Sequence, residues 1–86
     1  MSNAKEFAQA MVSAMRESGC CARYLGEGMV AFVNPVSRKH RFAPYDLSTL
    51  LAAHDLGLVE PRTIKVLMMQ DHGYGQIEVF DLYAAR

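Results

Sequence analysis

The chain has no tryptophan, three prolines, two cysteines and a formal net charge of zero. Each shortage excludes something. The cysteines, Cys20 and Cys21, are adjacent, and neighbouring strand residues point to opposite faces, so the pair offers no useful crosslink. Reduced thiols in a cytoplasmic protein are the expectation. A balanced charge argues against a dedicated binder of nucleic acid or acidic membranes. No apolar run approaches the roughly 20 residues that span a bilayer, and no secretory leader is expected. Donors for a metal are scattered: His54-Asp55, Asp71-His72 and His40 do not fall at the spacings that hold zinc or a hard cation. No metal, no cofactor and no catalytic residue is therefore expected. The cysteines stand where a strand begins, and buried cysteine behaves as a small hydrophobe. Gly73-Tyr74-Gly75 lacks the third glycine and the following helix of a dinucleotide loop, so it reads as a hairpin connection.

What is present is apolar residue, 51% of an 86-residue chain. A domain of this size buries only about 60–65% of the surface its unfolded form exposes, which makes dimerisation a natural supplement. Residues 1–86 read as a single α+β domain, with residues 1–4 frayed or left over from a tag. Phe7, Ala10, Met11, Ala14 and Met15 recur at helical spacing, so a first helix is predicted from Asn3 to Ser18. Asn3 and Glu6 would form its capping box, and Gly19 its stop. From Cys20 the period changes to two. Cys21–Leu25 and Met29–Val33 are predicted strands about the turn Gly26-Glu27-Gly28. Val36 to Pro44 reads as a connection, either a loop or an extension of the strand. Pro44 would open a second helix with Asp46 near its positive end. Leu47, Leu50, Leu51 and either His54 or Leu58 would be its buried stripe, and Gly57 its end. A pocket between helices and sheet could be lined by Phe7, Met11, Met15, Tyr24, Leu47 and Leu51.

The last quarter organises the rest. Thr63–Gln70 and Gln76–Tyr83 read as a hairpin. Alternation assigns Ile64, Val66 and Met68 to one face and Lys65, Leu67 and Met69 to the other. In the second strand Ile77 and Val79 oppose Phe80 and Leu82. Both faces are apolar, and a two-stranded ribbon cannot shield both alone. The predicted order is α-β-β-α-β-β, a four-stranded, mostly antiparallel sheet with two helices on one face. One face of the last hairpin is then uncovered, which marks an interface. Leu67, Met69, Phe80 and Leu82 are its candidate residues, and a homodimer is the expected assembly.

Charge is uneven along the chain. Residues 1–43 hold six basic against three acidic groups and residues 44–86 the reverse, so the halves are plus three and minus three. The densest cluster is Arg38, Lys39, His40 and Arg41, which Arg23 could join across the sheet. It is a candidate anion or ligand site, with nucleic acid not favoured.

A second reading concerns residues 47–69. Ala53, Leu56-Gly57 and Thr63-Ile64 resemble the helix-turn-helix signature of winged-helix regulators, in which a small residue precedes a Leu-Gly turn and Thr-Ile opens the recognition helix. The resemblance covers about twenty residues. It implies a DNA-binding regulator with Pro61 at the start of the recognition helix, Arg62 and Lys65 on DNA, and Gly73–Leu82 as the wing. Two departures stand out. The interval from Gly57 to Thr63 is one residue longer than that pattern, and Val66 and Met69 would face DNA. The leading expectation is a non-catalytic domain that binds a second copy of itself, then a protein or small-molecule partner, and no membrane.

Overall fold

The computed structural model describes residues 3–69 and 75–86, with residues 64–80 of the strands given by backbone alone. Its elements are α1 (Ala4–Ser18), β1 (Cys21–Gly26), β2 (Met29–Val33), β3 (His40–Asp46), α2 (Leu47–Asp55), β4 (Val59–Met69) and β5 (Gly75–Ala85). The sheet is antiparallel throughout, in the order β3-β2-β1-β5-β4. The α+β class holds, but five strands stand where four were predicted.

The extra strand is β3, in the segment expected as a connection. Pro44 made it unreadable, because proline cannot donate to a ladder. It is tolerated here on an edge strand. The register explains how: Phe42 pairs with Ala31 and Asp46 with Met29, so β3 advances four residues while β2 advances two. The surplus bulges outward around Pro44.

Helix α1 lies where predicted, rotated about its axis. Its buried residues are Ala8, Met11, Val12 and Met15, whereas Phe7 is 54% exposed. Both sets satisfy a 3.6-residue period. The sequence cannot choose between them, because the choice depends on what the helix packs against. At its start Asn3 makes no side-chain capping bond, so the expected capping box is absent. Its end is as expected. Gly19 adopts φ 68°, and the N–H groups of Gly19 and Cys20 donate to the carbonyls of Arg16 and Met15 at 3.4 and 3.0 Å. That is the Schellman pattern.

Helix α2 begins at Leu47, after Pro44 rather than on it. Asp46 caps it: Oδ1 accepts from the Thr49 N–H (3.1 Å), the Thr49 hydroxyl (3.1 Å) and the Ser48 hydroxyl (2.7 Å). The Ser48 hydroxyl leads those bonds in holding the Asp46 carboxyl below its ordinary value. The folded value is depressed, so the stabilisation is full above the ordinary carboxylate range and is lost as pH falls through the folded value. Asp46→Ala should therefore lower the melting temperature near neutrality. The gap from the parent should close in strong acid, as followed by circular dichroism. Leu50 and Ala53 are buried on α2, while Leu51 is 53% exposed and His54 is also exposed.

Both helices pack on one sheet face. Ala8, Met11, Val12, Met15, Leu50 and Ala53 form a continuous core with Ala22, Val30, Phe32 and Val59. Cys21, Val33, Leu82 and Ala84 form a second, smaller cluster. They alternate with Ala22, Phe32 and Tyr83 along the strands, which places them on the opposite face.

The long hairpin reaches beyond this body. β4 and β5 stay in unbroken register from Val59–Ala85 to Met69–Gly75, and among the described residues β5 bridges β1 at Ala22–Tyr83 alone. Past that bridge the described part of the ribbon has no further neighbour in the sheet. The dimensions agree: the radius of gyration is 14.1 Å and the long axis 54 Å, against about 12 Å for the radius of a compact chain of this length.

Residues 59–69 being strand also removes the recognition helix that the winged-helix resemblance requires. Arg62 and Lys65 lie on an edge strand. Gly57, at φ 70°, ends α2, and a Leu-Gly stop serves a helix-to-strand connection as well as a helix-to-helix turn. The β-branched run from Thr63 decides between them.

Candidate functional site

The basic cluster of the sequence divides when folded. Asn34 builds the turn that carries it: its Oδ1 accepts from the N–H groups of Val36 (2.9 Å) and Ser37 (3.0 Å), and its carbonyl from Arg38 N–H (2.7 Å). Arg38 closes the turn at φ 64°. Lys39 follows, and β3 then sends successive side chains to opposite faces. Arg41 goes to the helix side, with its guanidinium 5.7 Å from the centre of the Phe32 ring, a cation–π contact.

Arg23 and His40 come together on the other face, with Arg23 Nη1 and His40 Nε2 at 3.0 Å. The other ring nitrogen, Nδ1, lies 3.0 Å from the Arg38 carbonyl. A carbonyl only accepts, so Nδ1 carries the hydrogen and Nε2 accepts from Arg23. This corner thus joins Arg23, His40, Arg38 and Lys39 at one end of the sheet and leaves Arg41 out of it.

On the outer side of β3 the Pro44 bulge opens a groove of about 710 Å³. Phe7, Met29, Phe42, Pro44 and Tyr45 line it, with Asp46, Ser48 and Thr49 at its polar end. Phe42 is 75% exposed. The groove shares only Phe7 with the pocket predicted between helices and sheet. Met11 and Met15 of that pocket are buried core, and Tyr24 and Leu51 are exposed. Two aromatics flanking a proline at 42–45 were the available signal for it.

The predicted interface residues separate too. Leu82 is 1% exposed and packs with Cys21, Val33 and Ala84, which makes it core of its own chain. Its position next to the Ala22–Tyr83 bridge explains this, since there β1 lies on one side of β5 and β4 on the other. Leu67, Met69 and Phe80 occupy arm positions opposite Ile77, Gly75 and Ile64. The expected connection at Gly73-Tyr74 and the candidate donors Asp71 and His72 lie outside the described residues.

Cys21 is buried, and that burial raises its thiol pKa above the ordinary value, with Arg62 beside it working the other way. A thiol held protonated is a weak nucleophile. Cys20 is half-buried, and both cysteines are free. Among the described residues no three histidine, cysteine or acidic side chains are grouped as metal ligands would be, and no helix is long and apolar enough to cross a membrane. No family model, curated protein or solved structure matches this chain.

Proposed function

We propose that the chain is a non-catalytic association domain of the cytoplasm that acts as a homodimer joined through its β4–β5 arm. The observation that carries this is the arm itself. It continues past its last bridge to the body, and its sequence is apolar at alternating positions of both faces. An isolated ribbon of that kind is marginal in water, and long apolar edges are sites of pairing with another chain. The free cysteines suit a reducing compartment.

The test is a paired substitution, Leu67→Asp with Phe80→Asp, which places a charge at one position of each face. Light scattering should show the parent at twice the chain mass and the variant at one. Amide spectra of Ala8, Val12 and Leu50 should stay unchanged. A variant that still dimerises removes the arm from the interface.

The groove at the Pro44 bulge is the place for a further small apolar or peptide partner. Its mixture of aromatic walls and a few convergent polar groups is that of a ligand site. Titration with an environment-sensitive apolar dye should give fluorescence that Phe42→Glu abolishes. Unchanged fluorescence in that variant would assign the dye to another surface.

A further inference from the structure

β3 is an edge of the sheet, in the order β3-β2-β1-β5-β4, and the parity of its ladder says which of its backbone groups face outward. The Asn34 N–H donates to the Lys39 carbonyl at 3.0 Å. The ladder continues through the pairs Val33–His40, Phe32–Arg41 and Ala31–Phe42. Bonded and non-bonded pairs alternate along an antiparallel ladder. Asn34–Lys39 is bonded, so Phe32–Arg41 is bonded and Ala31–Phe42 is not. The N–H and C=O of Phe42 therefore point away from β2, to the side on which a further strand can pair. Two residues on, the Pro44 bulge ends this straight stretch, and the groove lined by Phe7, Met29, Phe42, Pro44 and Tyr45 lies beside it.

Charge along this edge is one-sided. Residues 28–45 hold Arg38, Lys39, His40 and Arg41 and no acid. On the far side of β2, Cys21–Gly26 adds Arg23 and again no acid. Lys39 and Arg41 are both exposed. They stand two residues apart, so alternation sends them to one side of the strand. Among the described residues lining the groove the one acid is Asp46, whose Oδ1 already accepts from Ser48 and Thr49 in capping α2. The edge is thus basic where β3 begins and apolar at the bulge.

We infer that the β3 edge binds an extended acidic peptide of another protein, added to the sheet as a further strand. Its acids lie beside Lys39 and Arg41, and a large apolar side chain enters the groove. This rests on the proposal that the groove takes a partner, and it names that partner's chemistry. In strand addition the main-chain bonds give affinity and the alternate side chains give selection. Acids two residues apart in the added strand share a face, so one lies opposite Arg41 and the next beside Lys39. Opposite charges in such cross-strand positions attract. A nucleic-acid strand suits the edge less well, because its phosphates would run along an apolar groove toward the Asp46 carboxylate.

Fluorescence anisotropy on the full chain tests it, with labelled Glu-Val-Glu-Val-Phe-Val and its reverse sequence covering the two strand directions. At low salt the tighter of the two should bind, and its counterpart with Gln for Glu should bind about tenfold more weakly. Arg41→Glu should cost the acidic peptide about the same factor. Lys39→Glu, at the turn, keeps the test valid if Arg41→Glu, which also loses its Phe32 contact, fails to fold. Methylating alternate backbone nitrogens of the peptide should abolish binding for one set and spare the other, because only one set faces β3. Equal binding of the acidic and Gln peptides, indifference to both charge reversals, or equal effects of the two methylated sets would overturn the inference. So would an oligothymidine strand that binds more tightly than the peptide, which would make the partner nucleic acid. If the apolar dye responds to Phe42→Glu while no peptide binds, the groove is a ligand site and the acidic partner is wrong. If no peptide binds and the dye is indifferent to Phe42→Glu, the groove has failed as a site altogether.

Discussion

Met11→Ala will cost about 2–5 kcal/mol, the range for removing a large side chain from a packed core. Met11 is fully buried on α1, at the centre of the cluster that joins both helices to Ala22, Val30 and Phe32. A small domain has roughly 5–10 kcal/mol of total stability, so this single change should remove a large part of it. Urea denaturation should show the midpoint falling without a change in slope. Leu51→Ala is the matched control. Leu51 belongs to the helical stripe expected from sequence, yet it is 53% exposed, and its loss should stay within about 0.5 kcal/mol. Equal effects at the two positions would mean that α2 is rotated relative to the arrangement described.

The second large effect concerns the arm. Ile64 and Phe80 face each other in the β4–β5 register, so residues 65–79 can be replaced by Asn-Gly, which closes a two-residue hairpin of the favoured type. Among the residues whose side chains are described, those of both buried clusters lie outside the excised segment. The shortened protein should fold, with a melting temperature within a few degrees of the parent measured as a monomer. It should not dimerise at any concentration. A shortened chain that is unfolded would show that the arm contributes to the body. One that is folded and dimeric would move the interface elsewhere.

Elements were easiest to see where local chemistry acts alone. Gly19 at the end of α1 and the Gly26–Gly28 turn need positive φ, and both are where glycine in the sequence implied. The β1–β2 hairpin follows from period-two alternation about that turn. What could not be read was set by partners distant in sequence. Phe7 and Ala8 satisfy the same period, and only the packing of α1 on α2 and the sheet selects Ala8. Pro44 argues against a strand on local grounds, and only its place on a bulged edge permits β3. Leu82 was legible as apolar but not as core, since its burial depends on β1 meeting β5 at Tyr83. Arg23 and His40 were suggested as neighbours across the sheet, and they are. Arg41, one residue from His40, was lost to the other face by the alternation of β3.

Association through the arm is measured most directly as molar mass by light scattering over a wide range of concentration. One chain is 9.6 kDa. The prediction is twice that mass when concentrated, falling toward one chain on dilution. A constant 9.6 kDa up to about 1 mM, where association free energy is only about 4 kcal/mol, would contradict it.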